Sequence, residues 1–283
     1  MGVGKVGGEV AFLAAATGLV DELNILDTYK PLQNAQTLDI RHTGLDIPVT
    51  SDPKLIRDSD IFIFAAGSPR TPDIKTRADL LESNLPVADA CCRYLEGFGG
   101  VLISVTNPMD ANNYYLQKRS GLERERCIGF GGQLDSARYN LSRKQTGISG
   151  NAFALGEHGE HQVPVFSANP EYVPEAVREE ILMQMRGASM SVIKGKGGTV
   201  FGPAYHITEL IRTVLDDKKT VLPCSCVLEG EYGLTDCSLG VPVRIGKDGI
   251  EEIIEMELDD WEMNKLKEAA GFVSRLCGRA GSP

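Results

Sequence analysis

Apolar and polar positions alternate along this chain in two different rhythms. In the first half, Val6, Val10 and Leu13 with the alanines around them repeat at helical spacing and stop at Gly18, predicting a helix just after the opening glycines. "ELNILD" follows as a short strand ending at Asp27. "DIFIFAAG" (60–67) and "VLISVTNP" (101–108) are near-continuous runs of Ile, Val and Phe, the pattern of parallel strands covered on both faces, with a helix predicted between them over 78–96. Strands alternating with helices imply βαβ units and a doubly wound sheet, whose ligands sit beyond the carboxyl ends of the strands. "AAG" and "TNP" lie at such ends.

The second half has a period-two rhythm. "TVLPCSCVLEGEYG", "DCSLGVPVRIG" and "IEEIIEME" read as antiparallel strands joined by short turns such as Gly246-Lys247-Asp248-Gly249. Met263, Leu266, Ala270, Val273 and Cys277 then return to helical spacing after Asp259-Asp260, a capping pair. The fold class is therefore α/β: a Rossmann-type doubly wound parallel sheet followed by a mixed α+β substrate domain. The change of rhythm sets a boundary near residue 131, giving a nucleotide-binding domain over 1–131 and a catalytic domain over 132–283.

Composition narrows the function classes. The 283 residues are 42% hydrophobic and 24% charged, ordinary for a globular protein, and the longest apolar runs are too short to cross a bilayer. No membrane association is expected, and with no signal-like N-terminus the expected location is cytoplasmic. The net charge of −10 repels phosphate backbones and argues against nucleic acid as a partner. An anionic substrate must then meet local positive charge. Seven cysteines with no CxxC pairing read as reduced core thiols, and Cys224-Ser225-Cys226, with no second pair beside it, predicts no metal site.

Three stretches carry candidate chemistry. The spacing Gly2-x-Gly4-x-x-Gly7 is that of a turn on which a dinucleotide pyrophosphate rests, and Asp27 stands about 20 positions on, where an acid bonds the adenosine ribose and repels the 2′-phosphate of NADP. NAD is the expected cofactor. "GEHG" (156–159) supplies His158, an imidazole suited to exchange a proton with a hydroxyl when a carboxylate supports its charged form. "LDSAR" (134–138) puts Asp135 and Arg138 on one helix face, the first able to support His158 and the second able to clamp a carboxylate bidentately. A competing pair, Tyr114-x-x-x-Lys118, has the spacing used by short-chain dehydrogenases, but that family's glycine pattern is absent.

Taken together, "GVGKVGG", "ILD", "AAGSPR", "VTNP", "LDSAR", "GEHG", "KGGTVFGPA" and "GVPVRIGKDGIEE" run in one order that resembles the malate/lactate dehydrogenase family, on its archaeal malate dehydrogenase side, over nearly the whole chain. The resemblance implies hydride transfer between C2 of a 2-hydroxy acid and nicotinamide C4. It implies that His158 takes the hydroxyl proton with Asp135 behind it and that Arg138 holds the C1 carboxylate. Arg77 would polarise the reacting carbonyl, and Asn107 and Thr199 would line the substrate. The implied cofactor set is Gly2, Gly4, Lys5, Val6, Gly7, Asp27, Asn84, Val105 and Asn107. A small dicarboxylate substrate and a homodimer or homotetramer follow by analogy. A lactate dehydrogenase is the alternative within the family; a catalytically silent NAD-binding protein is the alternative outside it, against which stands the retention of both arginines, Asp135 and His158.

Two departures bear on these expectations. The family spaces its loop arginines six apart, whereas Arg70 and Arg77 are seven apart, so giving Arg70 the distal carboxylate requires the extra residue to bulge; Lys75 is the fallback cation. The glycine turn also opens the sequence with no strand before it. The expectation is that the first strand is missing from the centre of the sheet, and that "LNILD" and "DIFIF" lose their ladder partners there.

Overall fold

The structure, a computed structural model, describes residues 1–68 and 74–279. Helix α1 (Lys5–Ala16) leads to β1 (Leu23–Asn24), α2 (Lys30–His42) and β2 (Val49–Thr50). Then come β3 (Ile61–Phe64), α3 (Arg77–Tyr94), β4 (Val101–Ser104), α4 (Met109–Ser120) and β5 (Cys127–Gly129). The chain continues through α5 (Gly132–Gln145), β6 (Ala154–Gly156), β7 (Gln162–Pro164), α6 (Glu175–Lys196) and α7 (Phe201–Leu215). It closes with β8 (Thr220–Glu229), β9 (Thr235–Gly246), β10 (Gly249–Ile253) and α8 (Asp260–Arg279).

The two rhythms of the sequence become two modes of pairing. β3, β4 and β5 are parallel and adjacent, as their uniformly apolar runs require, with Phe64, Leu102, Ile103 and Ile128 buried between helices. β8 and β9 form a long antiparallel hairpin whose inner residues, from Cys224 to Leu228 and Leu239 to Val243, are buried on both faces. One pair, Gly129 with Ser225, joins the parallel strands to this hairpin, and β9 passes the sheet on to β6 and β7. α8 is capped as expected: Glu262 N–H donates to Asp259 Oδ1 and Asp259 N–H to Glu262 Oε2, both at 3.0 Å.

At the front of the sheet the ladder is interrupted. β1 and β2 make a separate parallel pair, and β3 begins the main sheet without touching β1. Val101 N–H bonds Asp60 O and Val105 N–H bonds Phe64 O, so the even-numbered carbonyls of β3 face β4, and by strand alternation Ile61 and Ile63 face the gap. Leu23 and Ile25 donate toward β2, which turns Asn24 and Leu26 to the same gap from the other side. Met1 and Gly2 fill only its last rung: the Met1 amine donates to Ile63 O (2.7 Å), Ala65 N–H to Met1 O (2.9 Å) and Gly2 N–H to Leu26 O (2.8 Å). Burial there lowers the Met1 amine to about 6. Behind this rung lies a half-open cavity of about 470 Å³, walled by Val10, Leu23, Ile25, Ile61, Ile63 and Ile211 among others. The strand expected to run from Leu23 to Asp27 is shorter than its apolar pattern, with ladder geometry only at Leu23–Asn24. Its partner β2 is two residues long, and the gap offers it no second neighbour.

All seven cysteines are free thiols. None of the described helices is long and apolar enough to cross a membrane.

Candidate active site

The glycine turn is shaped by close approach. Gly2 has φ +86, and a Cβ there would lie 2.2 Å from Ala66 N; a Cβ on Gly7 would lie 1.9 Å from Gly2 O. Only glycine fits either place. Gly4 differs, because nothing lies within 4 Å of the Cβ it lacks, and it caps α1 without a side-chain bond to the first turn. The N–H groups of that turn have no side-chain cap and lie at the positive end of a helix dipole, which suits a pyrophosphate. Val3 N–H donates to Asp27 Oδ2 (2.9 Å) and Tyr29 N–H to Asp27 Oδ1 (2.8 Å), which holds the carboxylate beside the turn. These residues fit NAD.

His158 lies in the turn after β6, and Asp135 in the first turn of α5. His158 Nδ1 is 2.7 Å from Asp135 Oδ2, and Arg138 Nη1 donates to Asp135 Oδ1 at 3.1 Å. A carboxylate only accepts, so the bonded Nδ1 carries the proton and Nε2 is left with a free lone pair. Burial works to lower the His158 pKa, but the charge and hydrogen bond of Asp135, with the charge of Asp110, outweigh it and raise it. The approach of imidazole to α5 needs Gly131, where a Cβ would meet His158 Cγ at 2.4 Å.

Arg77, at the start of α3, reaches this turn. Its Nη1 is 3.2 Å from Glu157 Oε1, and a Cβ on Gly159 would lie 2.1 Å from its Nη2. α3 can begin there because Thr76 and Asp79 form a reciprocal capping box. Glu157 is nearly fully buried and also accepts the N–H groups of Glu160 (2.8 Å) and His161 (3.0 Å). Burial works to raise its pKa, yet contact with the His161 ring, the Arg77 charge and these N–H groups hold it down to about 2. The ring contact, 3.5 Å from Nδ1, is not an aligned hydrogen bond, so the guanidinium and the two N–H groups carry the effect. Arg70 lies outside the described residues. Lys75 donates its main-chain N–H to Asp79.

Other expected residues support the site from behind. Asn84 is buried, accepting Ser68 N–H (2.8 Å) and donating to Asn107 O (2.8 Å), so it ties the start of the loop to the end of β4. Val6 and Val105 are half-buried and pack on the main core. Thr199 follows Gly197 and Gly198 in the turn after α6; Lys5 Nζ bonds Gly197 O at 3.3 Å, which brings that turn to the glycine loop. Lys118 lies over the Tyr114 ring at 5.5 Å, a packing contact on α4. Cys224 accepts a bond from Gln133 inside the core, and no three His, Cys, Asp or Glu side chains gather as metal ligands among the described residues.

Three contributors escaped the sequence reading: Gly131, Glu157 and Asp110. Gly131 lies in "FGGQLD" and Glu157 inside "GEHG" itself, beside the histidine. Asp110, two residues past "TNP", is buried and accepts the His158 N–H on Oδ2 at 2.7 Å. An acid within an otherwise amide-rich, buried "NPMDANN" was the available signal.

Comparison with known proteins agrees with this geometry. Residues 1–129 match the lactate/malate dehydrogenase NAD binding domain, and residues 133–273 the lactate/malate dehydrogenase alpha/beta C-terminal domain. The malate dehydrogenase of Natronomonas pharaonis is 37% identical over 96% of this chain and 94% of its own length. L-lactate dehydrogenase 1 of Enterococcus faecalis is 31% identical over 98% of this chain and 91% of its own. Malate dehydrogenase from Archaeoglobus fulgidus, solved in complex with NADH, superposes with a TM-score of 0.89 at 31% identity, covering 99% of this chain and 98% of that one. The chain therefore belongs to the lactate/malate dehydrogenase family of NAD-dependent enzymes.

Proposed function

We propose that the protein interconverts (S)-malate and oxaloacetate with NAD. The observation that carries this reading is the chain of contacts from His158 Nδ1 to Asp135 to Arg138, at 2.7 and 3.1 Å. It joins a base, the carboxylate that supports its charge, and a cation for the substrate carboxylate. Gly2, Gly4, Gly7 and Asp27 would hold the cofactor, which supplies the hydride acceptor when bound. As the C2–H bond breaks and its electron pair leaves as hydride, His158 Nε2 removes the hydroxyl proton, and the C–O bond becomes a carbonyl. Asp135 stabilises the imidazolium so formed. Arg138 turns its remaining donors to the C1 carboxylate, and Arg77 supports the developing charge on oxygen.

Malate over lactate is favoured by the higher identity to the Natronomonas enzyme and by Arg70, our candidate for the distal carboxylate. The near-complete coverage of the Enterococcus lactate enzyme supports the second reading. NADH oxidation with oxaloacetate and with pyruvate separates them. A higher kcat/KM for oxaloacetate, reduced selectively by Arg70→Gln, supports malate; a higher value for pyruvate overturns it. We also read residue 131 as the domain boundary and a homodimer or homotetramer as the assembly, which light scattering tests.

A further inference from the structure

Three buried carboxyl groups surround His158, and they are not equivalent. Asp135 has Arg138 at 3.1 Å and Glu157 has Arg77 at 3.2 Å. Asp110 has no guanidinium or ammonium within ion-pair distance among the described residues, although it is only 2% exposed. Its Oδ2 accepts the His158 main-chain N–H, and its Oδ1 is buried with no hydrogen-bond partner. Asp110 is in the first turn of α4, but its bond goes across to the catalytic turn. The groups facing it are Glu157 and His158 from that turn, the Ser225 hydroxyl from β8, the Cys237 thiol from β9 and the Cys277 thiol from α8. Both thiols are pushed up to about 12 by burial and stay neutral at physiological pH. Glu157 and His158 are thus the charges that Asp110 meets.

We propose that Asp110 is the positioning residue of the base: it pins the His158 main chain and, alone of the three carboxyls in lacking a guanidinium, couples the proton state of the imidazole to its own. The coupling is electrostatic. Ionised Asp110 adds to Asp135 in favouring the imidazolium, and a protonated Asp110 withdraws that support. Burial and Glu157 push Asp110 up to about 7, against the nearby Ser225 hydroxyl and the His158 N–H and charge, so the Asp110 charge changes near neutral pH and the field on the imidazole changes with it. An asparagine would keep the acceptor for the N–H and remove only the charge. An alanine would remove both.

This inference rests on His158 being the base, so its test includes a measurement that needs no turnover. The imidazole of His158 is titrated by NMR in the full-length protein, its resonance assigned by its loss in His158→Asn. Asp110→Asn should lower the midpoint by about half a unit to one unit. The acid limb of kcat/KM should move with it, while the KM for NADH stays within about twofold. Asp110→Ala should lower kcat about tenfold to a hundredfold through a displaced imidazole, with most of that recovered in Asp110→Asn. An unchanged midpoint in Asp110→Asn overturns the coupling, and a wild-type kcat in Asp110→Ala overturns the positioning. If Asp110→Ala does not fold, Asp110→Asn decides the coupling, and Asp110→Leu, which fills the space without an acceptor, decides the positioning by the same loss of kcat. A protein inactive on both substrates whose midpoint still moves would refute the enzymatic reading and leave the coupling standing.

Discussion

The hairpin side of the molecule and its glycine-turn side are built to different standards. Around His158, Asp135 and Glu157 each have a cation, the β8–β9 ladder is continuous for ten pairs with one register shift, and Gly131 lets the imidazole seat against α5. At the glycine turn, β1 and β3 are separated by a cavity of about 470 Å³, and a buried amine occupies the rung between them. The chain lining this half-open gap is half-buried at Leu23, Asn24, Ile61 and Ile63, and a backbone group left unpaired out of water costs about 1–3 kcal/mol, against the roughly 5–15 kcal/mol that stabilises a domain. Catalytic geometry and folding margin are thus located in different places. The chemistry is held by the side of the sheet whose ladder is continuous.

The comparison breaks most visibly at His158. Replacing it with asparagine should lower kcat by about a thousandfold or more, while NADH affinity, followed by quenching of Trp261 or by cofactor fluorescence, stays within about twofold. A matching loss of NADH binding would mean that the two sides are not separable. Next in size is the gap. Fusing a six-residue strand of alternating Val and Ile ahead of Met1 should raise the unfolding free energy in urea by about 3 kcal/mol or more, with little change in kcat. It also turns the amine into an amide. With its folded value of about 6 below the ordinary 8.0, that amine makes stability fall as pH drops from 8 through 6, and the fused protein should lose this slope. No gain in stability would mean that the cavity walls do not accept a strand.

Glu157 tests the side whose ladder is continuous. Its folded value near 2 lies below the ordinary 4.5, so its ionised form stabilises the fold at any pH above about 4.5, and that contribution is lost as pH falls toward 2. Glu157→Gln should cost about 3 kcal/mol at pH 7 and flatten the acid limb of the stability curve between pH 4.5 and 2. A parallel, merely displaced curve would assign the loss to packing. The smallest effect is expected at Asp27, where Asp27→Gly should narrow the preference for NAD over NADP by about tenfold, or 1.4 kcal/mol. Equal kinetics with both cofactors in the unmutated protein would remove Asp27 from that choice.

How much of this was legible beforehand depended on whether a residue's role follows from its own type. The parallel runs at 61–64 and 101–104, the hairpin and the capped last helix were readable because burial on both faces leaves uninterrupted Ile, Val and Phe, and because strand and helix periods differ. His158, Asp135 and Arg138 were readable because few residue types can exchange a proton or clamp a carboxylate. Asp110, Glu157 and Gly131 were not, because each acts by what the fold sets against it: a main-chain N–H from 48 residues away, a guanidinium from another helix, and an imidazole pressed on a missing Cβ. Asn84, expected at the cofactor from its motif, also joins Ser68 to Asn107, a tie that its residue type alone does not announce.

The buried thiols give the molecule an internal clock for each side. Burial pushes Cys91, beside the Met1 amine, beyond the usual titration range, and Cys224, in the hairpin itself, up to about 12. Neither presents a thiolate to solvent in the folded state, so an alkylating reagent reaches each only during a local opening of its own surroundings. The ratio of their labelling rates is therefore a direct reading of how often the glycine-turn side opens while the hairpin stays shut.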